Sequence, residues 1–160
     1  MNEPLPRGSE TRLEITHLMQ PADANFMGNL HGGIMMKLID EAAGACAFRF
    51  CRTNIVTAAI DRIDFHHPVQ VGNLVRLLAN VNFAGRTSVE VGVRVEAEDL
   101  TTGVVTHTNS AYLVFVALSG TGRPIPVPQF TPQTDQQKTW YDKAAARRAK
   151  RLAEREPEDD

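Results

Sequence analysis

Residues 32–50 read GGIMMKLIDEAAGACAFRF, the most apolar part of the sequence. The apolar residues come in adjacent pairs four positions apart, from Ile34/Met35 to Cys46/Ala47. This spacing matches the period of an α-helix and covers more than half of the helix circumference. We therefore expect this stretch to form one long helix that is buried on most sides.

Strand-like segments flank this helix. Residues 12–19 read as a first strand, and residues 75–83 and 89–95 alternate apolar and polar side chains most cleanly among the segments that follow the helix. Such alternation gives a strand one solvent-exposed face and one buried face. The short connection at residues 84–86 suits a hairpin, and a further reversal is expected at 100–103. The predicted order is a strand, the helix, then four consecutive antiparallel strands.

The expected fold has one apolar helix and one antiparallel sheet with a single apolar face. A twisted sheet that wraps around the helix buries both apolar surfaces at once. This α+β arrangement, with a long central helix and five strands, is the hotdog fold. A ferredoxin-like fold would need a second amphipathic helix among the late strands, and residues 87–118 leave no room for one.

The chain length of 160 residues fits about one domain. We expect a flexible N-terminus at residues 1–11 and the hotdog domain at 12–120. A proline-rich linker at 121–134 cannot be regular structure. The remainder, 135–160, is expected to be a basic helix that packs weakly or against a partner, followed by a disordered tail over the last four residues.

The composition excludes several classes of protein. Lys and Arg number 17 against 19 Asp and Glu, a formal net charge of −2, so nucleic acid and membrane surfaces are not expected partners. No stretch reaches the roughly 18 apolar residues of a membrane span, and residues 1–10 lack the apolar core of a leader, so a cytoplasmic location is expected. Cys46 and Cys51 would point about 140° apart on a helix, which excludes a disulfide framework.

Asp40 is unusual because it places a carboxylate within the apolar helix. Met36 and Ala43 are its neighbours on the same face of that helix. Burial would raise the pKa of its carboxyl group and make it a better base, as an enzyme would use it. The alternative is a polar position at the rim of the helix, turned to water. Its neighbour Glu41 follows Lys37 by four residues and reads as half of a surface ion pair.

Gly32 and Gly33 stand where the helix starts, although glycine is a poor choice in a first turn. Free N–H groups at this end could hold a carbonyl oxygen as it becomes an oxyanion. Tight packing of the helix start against the sheet is the alternative. His31 is a candidate base or ligand contact, but a histidine at this position is more often a hydrogen-bonded cap.

Other reactive groups give no convincing site. His66 and His67 are adjacent and would face opposite sides of a strand, so they cannot chelate one metal ion, and no metal site is expected. No Gly-x-Ser-x-Gly elbow or cysteine–histidine arrangement suggests a nucleophile. Residues 143–151 hold five basic side chains and no acidic one, and could meet phosphates or form a solvated helical face.

Several stretches of the chain carry a recognisable pattern. They are Pro21-x-Asp23-x-Asn25-x-x-Gly28-Asn29-x-His31-Gly32-Gly33, Ile39-Asp40-Glu41-Ala42, Thr53-Asn54-Ile55-Val56-Thr57-Ala58, Asp64-Phe65-His66, Arg86-Thr87-Ser88-Val89-Glu90-Val91 and Pro124-x-Pro126-Val127-Pro128. With these stretches and this strand order, the sequence resembles the hotdog acyl-coenzyme A thioesterases, most closely the brain acyl-CoA hydrolase group (cytosolic acyl-CoA thioester hydrolase) and its bacterial relatives. The resemblance covers roughly residues 12–150.

The resemblance implies a catalytic site shared between subunits. In that family an asparagine from the loop of one subunit faces an aspartate on the central helix of the other, and Asn25 and Asp40 occupy those positions here. A homodimer would thus build two equivalent sites and be the minimal active unit. Members of that family commonly assemble further into trimers of dimers, so the resemblance also implies a hexamer.

The expected activity is hydrolysis of fatty acyl-CoA to free fatty acid and coenzyme A, with no metal and no organic cofactor. Asp40 would activate a water or attack the thioester carbon itself, Asn25 would orient the water or the carbonyl, and the backbone of Gly32 and Gly33 would hold the oxyanion. The candidate contacts to coenzyme A are His31, Arg86, Thr87, Ser88, Arg147, Arg148 and Arg151.

Two alternatives stay open at this point. A hotdog hydratase or dehydratase would favour a histidine paired with the acid, for which His31 is the candidate. A non-catalytic acyl-CoA binding protein could use the same fold, although such sensors usually append a DNA-binding segment.

Overall fold

The structure is a computed structural model that describes residues 3–155. Its elements are β1 (Arg12–Leu18), a 3₁₀ turn (Pro21–Asp23), α1 (Gly32–Cys51), β2 (Ile55–Phe65), β3 (Leu74–Ala84), β4 (Ser88–Glu98), β5 (Val105–Ala117) and α2 (Asp135–Ala153). The five strands form one antiparallel sheet, and α1 contacts every one of them. The predicted hotdog architecture is therefore confirmed. The predicted disordered tail lies outside the described residues.

The order of strands in the sheet is β1-β3-β4-β5-β2. The prediction that four consecutive strands would pair in sequence was wrong for β2, which pairs with β5 instead of β3. The reason is that β1 occupies the free edge of β3, so β2 can join only at the opposite edge. There it covers the far side of α1.

The core lies between α1 and the concave face of the sheet. The inward valines of β4 (Val89, Val91, Val93 and Val95) are buried against α1 residues such as Ile39 and Phe50. Buried Ala42, Ala43 and Ala47 keep α1 narrow, which allows close packing on the sheet. No helix within residues 3–155 combines the length and the hydropathy needed to cross a bilayer.

The N-terminal segment caps the end of α1. Gly8 donates a backbone hydrogen bond of 2.8 Å to the carbonyl of Phe50, and Arg7 Nε donates one of 2.7 Å to the carbonyl of Cys51. These bonds satisfy carbonyls that a helix end leaves without partners. Gly8 has φ of +82°, and a Cβ there would lie 2.8 Å from Cβ of Pro128, so this position requires glycine.

The segment at 121–134, expected to be a linker, has no helix or strand but packs on the domain. Val127 and Phe130 are buried, and the backbone N–H of Val127 donates to the carbonyl of Arg86 at 2.9 Å. The Phe130 ring meets Phe50 edge to face at 6.5 Å between centroids. This segment thereby carries the chain from β5 to α2.

Helix α2 packs on the convex face of the sheet, where the sequence predicted only weak packing or contact with a partner. Ala144 is fully buried, and the ring of Tyr141 lies 4.9 Å from that of Phe83. Arg147 forms a two-pronged ion pair with Glu90 of β4, at 2.6 and 3.2 Å. A helix with few apolar residues is thus held by aromatic packing together with an ion pair to a buried carboxylate.

Candidate active site

Asn25 lies in a tight loop that its own side chain closes. Its Oδ1 accepts hydrogen bonds from the backbone N–H groups of Met27, at 2.9 Å, and Asn29, at 3.2 Å. The backbone N–H of Asn25 in turn donates to the carbonyl of Asn29 at 2.7 Å. Since Oδ1 is used inside the loop, and Nδ2 has no hydrogen bond within residues 3–155, the Nδ2 amide is the part of Asn25 that can serve a ligand.

The tip of this loop projects from the domain. Phe26 is 99% exposed and Met27 is 72% exposed. The base is fixed by a bridge between Ala24 and Leu30, and Leu30 donates a backbone hydrogen bond of 2.8 Å to Val69. An apolar tip on a fixed base is suited to contact another apolar surface.

His31 is the N-cap of α1, because its Nδ1 accepts a hydrogen bond of 3.0 Å from the backbone N–H of Gly33. The interpretation of His31 as a cap residue therefore agrees with the structure. A Cβ at Gly33 would stand 3.2 Å from His31 Nδ1, so a side chain there would crowd the cap.

This cap changes the predicted pair of oxyanion donors. The Gly33 N–H is already bonded to His31, whereas Gly32 is the first helical residue and its N–H has no partner within the described chain. Only one of the two predicted amides is thus open to a ligand in this structure.

Asp40 lies two turns into α1 on a face that the single chain leaves partly open. Thr57 Oγ1 of β2 donates a hydrogen bond of 2.9 Å to Asp40 Oδ1. Asp40 is half-buried and Thr57 is exposed, so the carboxylate is at the rim of the core and not inside it. Of the two alternatives for Asp40, a buried carboxyl group or a polar position at the rim of the helix, the isolated chain agrees better with the second. Its neighbour Glu41 pairs with Lys37 at 3.8 Å on the exposed side, as predicted.

Asn25 and Asp40 make no hydrogen bond to each other within the described residues. Asn25 lies in the loop before α1, whereas Asp40 lies about 12 Å along α1 from its first residue, Gly32, at 1.5 Å per residue. Both side chains are partly exposed.

The basic side chains of α2 divide into two groups. Arg147 is paired with Glu90, and its guanidinium also lies 3.7 Å from the ring centre of Tyr112. Arg151 is paired with Asp61 of β2. Both hold α2 on the sheet, so the prediction that they contact coenzyme A phosphates is not supported by this geometry. Arg148 has no ion pair among the described residues and lies beside Gly85.

The predicted contacts Arg86 and Thr87 lie in the turn between β3 and β4, and Ser88 is the first residue of β4. Their backbone oxygens are all used: Arg86 accepts from Val127, Thr87 from Ala117, and Ser88 from Gly85. The side chain of Arg86 is exposed, and the guanidinium of Arg148 lies beside Gly85 of the same turn. Both arginines are thus associated with the turn between β3 and β4.

The two cysteines are poor nucleophiles. Both are buried, and desolvation raises the pKa of the Cys46 thiol to about 12 and that of Cys51 to about 11. Residues 3–155 contain no cluster of three or more histidine, cysteine, aspartate or glutamate side chains placed to hold a metal ion.

Thr57 is the site residue to which sequence reasoning assigned no role. It belongs to a stretch that carries the family resemblance, but a threonine in a strand has no distinctive chemistry by itself. The structure adds that the register of β2 against β5 shifts directly after Thr57, leaving Ala58 as an extra residue. Such bulges re-aim side chains near active sites.

Comparison with known proteins gives a consistent picture. A family model described as "Thioesterase superfamily" matches residues 27–104. Human cytosolic acyl coenzyme A thioester hydrolase is 36% identical over 156 residues, which is 94% of this chain and 41% of that protein. A crystal structure described as an apo-hexameric acyl-CoA thioesterase is 40% identical, with a TM-score of 0.87 and coverage of 94% of this chain and 98% of that one.

A third relative is an acyl-CoA hydrolase from Staphylococcus aureus, solved with butyryl coenzyme A and coenzyme A. It is 33% identical with a TM-score of 0.85, covering 94% of this chain and 92% of that one. Variants of that enzyme replace one asparagine, one aspartate and one threonine by alanine, at the same spacings as Asn25, Asp40 and Thr57. The chain described here therefore belongs to the hotdog-fold acyl-CoA thioesterases of the thioesterase superfamily.

Proposed function

We propose that this protein hydrolyses fatty acyl-CoA to a free fatty acid and coenzyme A. The observation that carries the proposal is the hydrogen bond from Thr57 to Asp40, which fixes one carboxylate oxygen at an open position on the central helix. Membership of the acyl-CoA thioesterases supplies the substrate class.

Asp40 acts as the general base. Thr57 occupies Oδ1, and Oδ2 makes no hydrogen bond within the described residues, so Oδ2 is free to take a proton from water. The water oxygen attacks the thioester carbon, the proton passes to Asp40, and the carbon–sulfur bond breaks. The departing thiolate then takes up a proton. A positioned base of this kind contributes about 10² to 10⁴-fold in rate.

Asn25 acts as a hydrogen-bond donor. Because the loop already uses its Oδ1, only its Nδ2 amide can contact the substrate carbonyl or the attacking water. The N–H of Gly32 is a second donor for the developing oxyanion, and one such donor is worth about 10² to 10³-fold in kcat.

The active unit is a homodimer in which Asn25 of one chain faces Asp40 of the other. Within one chain these two side chains share no hydrogen bond among the described residues, and both are partly exposed. Strand β2 is an edge strand of 11 residues with exposed Val56 and Ile60, the type of edge that pairs with another strand. Pairing there would cover Thr57 and Asp40 and bring the loop of one protomer, with its exposed Phe26, to α1 of the other. The hexameric relative supports a trimer of such dimers.

The coenzyme A phosphates bind at Arg86 and Arg148. Arg86 is part of the turn between β3 and β4 and Arg148 lies beside Gly85 of that turn, and neither is ion-paired within the described residues. Charge-assisted hydrogen bonds to phosphate are among the stronger polar contacts. Arg147 and Arg151 contribute by holding α2 in place.

The reaction needs no metal ion and no organic cofactor, and it takes place in the cytoplasm. A hydratase would pair a histidine with the acid, whereas the side chain that bonds to Asp40 within the described residues is Thr57.

The test is to incubate the purified protein with palmitoyl-CoA and a thiol reagent, with and without a chelator. Release of free thiol that is unaffected by chelation is expected. A hydratase or a binding protein would release no free thiol.

The proposed dimer is tested by light scattering at micromolar concentration. A mass equal to that of one 17.6 kDa chain would contradict the dimer.

A further inference from the structure

Asp23 connects three parts of the chain at the base of the Asn25 loop. Its Oδ2 accepts a hydrogen bond of 2.8 Å from Nε2 of His17 on β1 and another of 2.8 Å from the backbone N–H of Gln20. Its backbone carbonyl accepts from the N–H of His31 at 2.9 Å. One residue thus joins the first strand, the turn before the loop, and the start of α1.

We infer that His17 and Asp23 are positioning residues that hold the Asn25 loop in its working orientation. The inference rests on the proposed function, because it assigns a role through Asn25. Neither residue reaches the reacting atoms in this scheme; they act by fixing where the Nδ2 amide of Asn25 points.

The construction of the loop explains why its base matters. Residues 24–30 are closed on themselves by the Ala24–Leu30 bridge and the Asn25–Asn29 backbone bond, so the tip moves as one body. Its base is bonded to residues 69 and 70 through Leu30 and Asn29, and to β1 through the contact between Asp23 and His17. Loss of the His17 contact removes the side-chain bond from the loop base to β1, while the bonds of Asp23 to Gln20 and His31 remain.

The His17–Asp23 contact is suited to this role because it is shielded. The side chains are 30% and 17% exposed, whereas ion pairs elsewhere on β1 are more open, such as Glu14 with Arg76 at 46% and 35%. The hydrogen bonds from Gln20 and His17 lower the pKa of the Asp23 carboxyl, so it is an anion and a strong acceptor at neutral pH. A displacement of about 1 Å in a substrate-positioning group can cost about 10²-fold in rate.

The experiment compares kcat and KM for palmitoyl-CoA in three variants. His17→Ala removes the donor, His17→Gln keeps an N–H donor of similar reach, and Glu14→Ala is the control that breaks an exposed ion pair on the same strand. We expect His17→Ala to lower kcat about 10-fold or more with little change in KM. His17→Gln should recover most of that loss, and Glu14→Ala should match the wild type.

A double variant separates positioning from general damage. In an Asn25→Ala background, His17→Ala should cause no further loss of kcat, because its effect acts only through Asn25. An equal loss in both backgrounds would overturn the inference. So would a His17→Ala protein whose kcat equals that of Glu14→Ala.

These outcomes are distinct from failure of the proposed function. If the wild type releases no thiol, or Asn25→Ala retains full kcat, the proposed mechanism fails and the inference falls with it. If Asn25→Ala is impaired and His17→Ala is not, only the inference fails. Should His17→Ala not fold, Asp23→Asn gives the same readout, and unchanged kcat in that variant would also overturn the inference.

Discussion

Thr57 Oγ1 donates a hydrogen bond of 2.9 Å to Asp40 Oδ1, and this contact joins an edge strand of the sheet to the central helix. The contact is made where the register of β2 shifts, and in the single chain Thr57 is exposed and Asp40 is half-buried. The helix supplies the carboxylate and the strand determines which of its oxygens stays free. The proposed base therefore lies at the boundary between the central helix and the edge of the sheet.

Replacing Asp40 tests the base directly. We expect Asp40→Asn to fold normally and to lower kcat by at least about 10²-fold, because an amide cannot accept a proton from water. Steady-state thiol release checks this. Glu41→Gln is the matched control, since it removes a carboxylate one position away that only pairs with exposed Lys37. Nearly full activity in a folded Asp40→Asn protein would contradict the mechanism.

Replacing Thr57 tests whether its hydrogen bond to Asp40 is needed for turnover. Thr57→Val keeps the shape but removes the hydroxyl, and we expect kcat to fall about 10-fold as Asp40 loses the contact that fixes it. Thr57→Ser retains a hydroxyl and should keep most of the activity. Equal kcat in the valine and serine variants would mean that the hydrogen bond to Asp40 has no part in turnover.

Mixing two inactive variants tests whether the site is shared. Asn25→Ala and Asp40→Asn chains, unfolded and refolded together in equal amounts, should form about half mixed dimers, each with one intact site. About one quarter of wild-type site activity should return, measured as thiol release per subunit. Each variant refolded alone is the control. No recovery, despite mixed dimers seen by mass spectrometry, would place both residues in one subunit's site.

The buried cysteines make a prediction about native reactivity. With thiol pKa values of about 12 for Cys46 and about 11 for Cys51, the thiolate fraction at pH 8 is about 10⁻⁴ and 10⁻³. The folded protein should therefore react negligibly with a thiol reagent, and two thiols should become reactive on addition of denaturant. Rapid labelling of the native protein would show that the helix opens.

The ion pair beneath α2 makes a prediction about stability. Arg147→Met leaves the Glu90 carboxylate, whose side chain is 3% exposed, without its cation, and should lower the free energy of unfolding by about 2–4 kcal/mol. Lys150→Met is the control, because its pair with Glu154 is exposed and should contribute less than about 1 kcal/mol. Denaturant unfolding measures both. Similar values for the two variants would mean that Arg147 is not what holds α2.

The sequence by itself determined the elements of this fold and the identity of its most distinctive side chains. The four-residue spacing of apolar pairs predicted α1, and the alternation in residues 75–83 and 89–95 predicted β3 and β4, because these periods follow from the geometry of each element alone. Asp40 was identified for a similar reason, since a carboxylate in an apolar helix breaks a local pattern.

Strand pairing and side-chain contacts between residues distant in the chain were decided only by the tertiary structure. Strand β2 reaches the sheet edge beside β5, Thr57 bonds to Asp40 across 17 positions, and Arg147 bonds to Glu90 across 57. No sequence pattern predicted that Arg147 would form an ion pair with the buried carboxylate of Glu90. None predicted that the Thr57 hydroxyl would donate a hydrogen bond to Asp40. Local periodicity is fixed by the backbone, whereas hydrogen-bond partners and burial are fixed only when separate elements pack together.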